Sequence, residues 1–257
     1  MNLRLNGKRA LVCGASQGIG EATAHVLASL GAQVLLLARS EEKLKAIAAQ
    51  LPGEGHHIVA LDIADRVLLS KTLERLCIDP VEILICNTGG PKAGALLDAT
   101  DEDFTQGFAN HVLVNSLLVK KLLPGMNDRK YGRVINIIST SVKVPIPQLG
   151  VSNTIRAAVA NWAKTLSLEL APRGITVNNV LPGYTETPRL MALMSAAAKR
   201  LGQTESEIEK TWKNSTPMGR FASANEIANA VGFLASPAAS FITGINLPVD
   251  GGRTGCL

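Results

Sequence analysis

Short runs of Val, Ile and Leu alternate along this chain with longer stretches whose apolar residues recur every three or four positions. RALVCG, QVLLLA, HIVALD, VEILIC, RVINII, ITVNNV and INLPV lack strict in-and-out alternation, the pattern of strands covered on both faces. GIGEATAHVLASLG, EEKLKAIAAQL, RVLLSKTLERL, a segment from about Asp101 to Met126, and GVSNTIRAAVANWAKTLSLELA carry the helical repeat between them. Strand and helix in turn predict parallel strands joined by right-handed crossovers. The expected fold is therefore α/β, a single-domain, Rossmann-like, doubly wound parallel sheet of seven strands with helices on both faces. No Pro/Ser-rich linker or repeat divides residues 1–257. Residues 184–223 are longer and more polar than a usual connection, which suits either a substrate lid or a helical decoration on the domain edge.

Composition changes this picture little. The chain is 46% hydrophobic and 18% charged, with a formal net charge of +5. No run of five or six like charges occurs and aromatics are only 4%, so no nucleic-acid partner is expected. No unbroken apolar stretch of about 18 residues is present, and the opening MNLRLNGKRALV lacks a signal-type apolar core. A cytoplasmic protein without a membrane partner is the expectation. Cys13, Cys77, Cys86 and Cys256 form no CxxC pair, and Cys13 and Cys86 lie inside strands, where a thiol acts as a small hydrophobe. No metal site is expected.

The chemistry begins at CGASQGIG, residues 13–20, which follows the first strand and opens a helix. Gly14, Gly18 and Gly20, with Ser16 and Ile19 in the same turn, let backbone approach a diphosphate at a helix N-terminus. In this strand–turn–helix setting the glycine spacing points to a dinucleotide. The second strand ends in LLLARS, without the acidic residue that accepts from an NAD ribose. Arg39 stands beside that position and can pair with a 2′-phosphate, which favours NADP(H), with NAD(H) the alternative. Asp62, followed by Ile63, ends the third strand; it can accept from an adenine amino group or cap the helix beginning near Asp65.

With these pieces placed, the chain resembles the short-chain dehydrogenase/reductase family along nearly its whole length. CGASQGIG is similar to that family's TGxxxGxG, CNTGG (86–90) to its NNAG, and PGYTET (182–187) to its PGxxxT. The tail from Gly219 to Gly252 resembles most closely that of 3-oxoacyl-carrier-protein reductases. The resemblance implies that Asn87, Thr88 and Gly89 line the cofactor, and that Pro182, Gly183, Thr185 and Thr187 border its nicotinamide and phosphate. It implies a homodimer or homotetramer, built on the helices at about 112–124 and 150–171.

The catalytic positions depart from the family, which uses Ser, Tyr and Lys, the last two as Y-x-x-x-K, helped by an Asn. Ser139 matches the serine. Thirteen residues on, the tyrosine position holds Ser152; four further, the lysine position holds Arg156; the helper position holds His111, beside Asn110. A phenol near pKa 10 can be tuned down by an ammonium, whereas an aliphatic hydroxyl is a far weaker acid. Arg156 keeps a charge to hold ribose hydroxyls, as a planar fork instead of a point. Tyr184, expected near the nicotinamide, and His111, an imidazole of ordinary range, are the candidate replacement donors.

Three functions follow from this set. The first is an NADP(H)-dependent oxidoreductase acting on a carbonyl or alcohol small molecule with altered proton delivery. The second is a nucleotide-binding sensor or scaffold whose reaction is lost. The third is a different reaction on the same fold: a lyase, an epimerase or an enoyl-type reductase.

Overall fold

A computed structural model describes residues 1–256. Its strands are β1 Arg9–Cys13, β2 Gln33–Ala38, β3 His57–Ala60, β4 Ile83–Cys86, β5 Gly132–Ile137, β6 Ile175–Pro182 and β7 Asn246–Val249. The helices are α1 Gly18–Ser29, α2 Glu41–Ala48, α3 Arg66–Leu76, α4 Asp101–Phe108, α5 Val114–Asp128, α6 Gly150–Leu170, α7 Pro188–Leu201, α8 Glu205–Asn214 and α9 Ala224–Ala235. Every expected strand is present to within two residues of its expected ends. All pair in parallel, in the order β3-β2-β1-β4-β5-β6-β7.

The period of two along each strand divides the interior into two cores. Ala10, Val12, Val34 and Leu36 face one core, packed with Leu27 of α1, Leu44 of α2 and Ile227 of α9. Leu11, Cys13, Leu35 and Leu37 face the other, with Leu69 of α3, Leu118 of α5 and Ala163 of α6. Each fully buried Leu or Ile contributes roughly 1.5–3 kcal/mol relative to exposure. The expectation of burial on both faces fails at the two edges, where His57, Ala60 and Asn246 are exposed. An edge strand has a neighbour on one side only, so its cover thins. Cys13 and Cys86 are buried free thiols; burial pushes Cys13 up to about 12, which leaves it inert at neutral pH.

The stretch from Asp101 to Asp128 is one continuous helical rod with a fault in it. Between α4 and α5, Ala109–Leu113 winds as a π-helical turn that carries His111 on its buried side. A row of amides holds this rod to the sheet. Asn115 Nδ2 donates to Asn136 Oδ1 (3.2 Å), Asn136 Nδ2 to Asn179 Oδ1 (2.8 Å), and Asn179 Nδ2 to Asn246 Oδ1 (2.8 Å). Asn136, Asn179 and Asn246 are register partners on β5, β6 and β7, so parallel pairing itself lines up the row. Asn115 lies four residues beyond His111, and the row thereby fixes where His111 stands.

Residues 184–223 fold as α7 and α8, with Met194, Ala198 and Ile208 buried in a small cluster of their own. Asn136→Leu should lower the unfolding free energy by about 3 kcal/mol, because it strands a buried donor and a buried acceptor. The exposed Asn246→Ala should cost under about 1 kcal/mol, and urea unfolding of both variants makes the comparison.

Candidate active site

The strand order reverses between β1 and β4, which opens a crevice at their C-terminal ends. The glycine turn closes over it. Gly14 and Gly18 adopt φ of +63° and +61°, a region that favours glycine. A Cβ at Gly20 would stand 2.1 Å from the Gly14 carbonyl oxygen, and one at Gly14 would stand 2.6 Å from that of Asn87. Asn87 Nδ2 donates to the carbonyls of Cys13 (3.3 Å) and Gly14 (3.4 Å), tying the end of β4 to the turn. Ser16 and Ile19 are half-buried in the same turn.

The first turn of α1 has open amides. Its N-cap residue Gln17 makes no side-chain cap, whereas Ser40, Asp65, Thr100, Thr187, Thr204 and Ser223 cap the helices they precede. Free N–H groups at a glycine-rich turn fit the diphosphate of a dinucleotide. Arg39 is exposed at the end of β2 and enters no ion pair among the described residues. Asp62 does not cap α3: Asp65 does, accepting from Leu68 N at 2.9 Å. Asp62 Oδ1 accepts instead from Ala64 N (3.0 Å), and its exposed carboxylate, next to half-buried Ile63, is left facing outward.

Pro182 ends β6, and Gly183 N donates to Val249 O on β7. The Thr185 hydroxyl donates to Gly183 O (3.1 Å), and the Thr187 hydroxyl caps α7 at Leu190 N (3.3 Å). Thr187 Cγ2 lies 3.2 Å from where a Gly18 Cβ would stand, so PGYTET borders the glycine turn. Tyr184 has partners of its own. Its ring stacks on Trp212 of α8 (4.8 Å, 3° between planes), and its hydroxyl accepts from Arg253 Nη2 at 3.2 Å. A phenol held in this way ties the 184–223 segment to Arg253.

Ser139 follows β5, and its hydroxyl accepts from Ser141 N (3.0 Å). Ser152 and Arg156 lie in the first two turns of α6, 7% and 8% exposed. Arg156 Nη1 donates to the Ile137 carbonyl (2.7 Å), which draws the guanidinium to the end of β5, while its buried Nε has no partner. The Ser152 hydroxyl makes no hydrogen bond among the described residues. On the opposite wall, His111 Nδ1 and Thr88 Oγ1 stand 2.7 Å apart. Next to Thr88, Gly89 presents an open face with no atom within 4 Å of a built Cβ. The turn at Gly14–Gly20, Asn87–Gly89, Ser139 and Pro182–Gly183 follow or end β1, β4, β5 and β6, while Arg39 and Asp62–Ile63 follow β2 and β3. Arg189 joins them unforeseen: its Nη2 donates to Pro91 O (2.8 Å) on the loop after β4. A single Arg at the start of a helix carries no distinguishing pattern in the chain.

Electrostatics overturns the second candidate donor. Burial, and then the neighbouring Arg156 charge, push His111 down to about 3, so it is neutral at working pH and is not an acid of ordinary range. Burial and Arg189 lower Arg156 to about 10, which still leaves it charged at neutrality. Among the described residues no group of three His, Cys, Asp or Glu can hold a metal, and no helix is long and apolar enough to cross a membrane.

A family model described as enoyl-(acyl carrier protein) reductase matches residues 14–254. The chain is 36% identical to the 3-oxoacyl-[acyl-carrier-protein] reductase FabG of Escherichia coli (strain K12), over 97% of this chain and 98% of that one. Among solved structures, an L-sorbose reductase from Gluconobacter frateurii complexed with NADPH and L-sorbose aligns over both full chains (TM-score 0.92, 30% identity). YwfH, an NADPH-dependent reductase involved in bacilysin biosynthesis, aligns over 97% of this chain and 99% of that one (TM-score 0.90, 30% identity). The crevice belongs to a dinucleotide-dependent oxidoreductase. The chain is a member of the short-chain dehydrogenase/reductase family, whose enzymes act on C–OH and C=O groups.

The state of His111 has a measurable consequence. An unfolded imidazole takes up a proton below about pH 6.5, while the folded one does so only near 3. Between these values the unfolded state binds more protons, so stability falls as pH falls. Between pH 7 and 5 the loss from His111 should be about 2 kcal/mol. His111→Asn should remove that slope in urea unfolding measured at both pH values.

Proposed function

We propose that this oxidoreductase uses NADP(H) to reduce a carbonyl, or to oxidise the corresponding alcohol, with Ser139, Ser152, Arg156 and His111 in place of the family's usual set. The observation that carries the reading is the pairing of Ser152 and Arg156: buried on one face of α6 at the end of β5, with an open hydroxyl and a charged fork. The coenzyme supplies the hydride. The Gly14–Gly20 turn and the α1 amides seat its diphosphate, and Arg39, with no acid beside it, pairs with the 2′-phosphate that distinguishes NADP(H) from NAD(H). Asp62 and Ile63 flank the adenine, Asn87 and Gly89 the ribose side, and Pro182, Gly183, Thr185 and Thr187 the nicotinamide side.

Ser139 and Ser152 hydrogen-bond the substrate oxygen. Arg156 stabilises the negative charge that develops on it, an electrostatic role that tolerates exchange of an ammonium for a guanidinium. Neutral His111, bonded to Thr88, orders the route by which a proton arrives from water; it does not itself carry the acid proton. An enoyl-type reduction is the second reading. It is favoured by the absence of a phenol, since a proton delivered to carbon after hydride addition does not need one beside a carbonyl oxygen. The α7–α8 segment is the substrate lid, hinged where Tyr184 stacks on Trp212.

NADPH consumption at 340 nm over a panel of ketones, aldehydes and enones tests the reading. Arg39→Ala should cut the preference for NADPH over NADH by about tenfold. Ser152→Tyr combined with Arg156→Lys should raise ketone reduction. Tight NADPH binding with no turnover of any class would make the protein a nucleotide sensor instead.

We propose α4–α6 as the face that pairs in a homodimer or homotetramer, a reading supported by exposed Phe108, Leu113 and Leu168 beside half-buried Trp162. Leu168→Glu should shift the sedimenting species to monomer.

A further inference from the structure

We propose that Arg156 and Arg189 together form a carboxylate seat beside Gly90, so that the substrate is the anion of an oxo acid or hydroxy acid. This rests on reading the crevice as the site of carbonyl chemistry, and it adds the class of substrate. Arg189 is the second residue of α7, where the helix dipole disfavours a cation. Its guanidinium leaves that helix and crosses to Pro91 O. A Cβ built on Gly90 would stand 3.4 Å from Arg189 Nη2 and 3.5 Å from Arg156 Nη2, so two guanidinium groups flank one small space that glycine leaves open.

No acidic side chain among the described residues neutralises them. Neither arginine enters an ion pair among the described residues. Glu186, the nearest acid in sequence, acts on Arg220. Arg156 is more than nine-tenths buried, with Nε unpartnered. His111 across the crevice is neutral. Burial and then Arg189 lower buried Arg156, and partial burial lowers Arg189, which stays exposed at the mouth of the crevice, so an anion between them offsets the cost of the buried Arg156 charge. The fork geometry of guanidinium matches the two oxygens of a carboxylate. The coenzyme diphosphate has its own seat on the α1 amides, whereas this pair lies beside Ser152, where a carbonyl oxygen is held. A carboxylate on Arg189 and Arg156 would leave the adjoining oxo group facing Ser139 and Ser152.

Calorimetry on the NADP⁺-saturated protein tests the proposal with 2-oxobutanoate and 2-oxooctanoate, their methyl esters, and inorganic phosphate as probes. At least one acid should bind about tenfold or more tighter than its ester, the scale of one charge-assisted pair. Arg189→Gln should lose that advantage while keeping the wild-type melting temperature and an NADPH Kd within about twofold. Arg189→Lys should restore part of it, and Gly90→Ala should weaken the acid without removing a charge. Equal affinity for acid and ester overturns the proposal, as does an Arg189→Gln variant that still prefers the acid. A loss that falls on NADPH instead assigns Arg189 to the coenzyme diphosphate, and binding of phosphate alone makes the seat one for phosphate. NADPH titration of the wild-type protein tests the underlying reading separately; if it fails, the acid and ester titrations on the free protein still decide whether the seat exists.

Discussion

Backbone packed directly on backbone at the head of β1 is the constraint on which the rest depends. The Gly14 carbonyl leaves no room for a Cβ at Gly20, and Asn87 leaves none at Gly14. This contact joins β1 to β4 across the point where the strand order reverses. It opens the crevice, aims the α1 amides into it, and sets the height of the loop that carries Thr88, Gly89 and Gly90. Thr88 and Gly89 hang directly from the end of β4, while Ser152, Arg156, His111 and Arg189 reach the crevice from helical segments.

A second level of order is electrostatic. α6 delivers a guanidinium to the Ile137 carbonyl and buries it. The same charge, with burial, holds His111 neutral. A site with two arginines in no ion pair among the described residues and a neutral imidazole stabilises negative charge well and donates protons poorly. Such a balance suits an anionic substrate and a proton drawn from water. The amide row from Asn115 to Asn246 contributes by fixing the rod that carries His111 against β5–β7.

Much of this was legible in the chain. The apolar runs located every strand because a strand buried on both faces must be apolar throughout; only the edges, where cover thins, departed. Gly14, Gly18 and Gly20 were readable because few arrangements other than a tight phosphate turn place glycines so between a strand and a helix. Ser152 and Arg156 could be placed because the family resemblance supplies the spacing from Ser139, and residues four apart on a helix share a face. Tyr184 could not be placed, because whether a side chain after Pro–Gly turns inward or stacks on a helix 28 residues later depends on where that helix lands.

The sequence by itself determined the order of strands and helices, the dinucleotide turn and the two unusual residues on α6, all of them local or periodic properties. Tertiary structure decided the charge states and the partners. His111 is depressed because α6 buries a cation near it. Arg189 matters because α7 begins opposite the β4 loop. Asp62 stays outward because Asp65 takes the cap. Desolvation and Coulomb energy depend on distances between residues far apart in the chain, and those distances exist only once the sheet has formed.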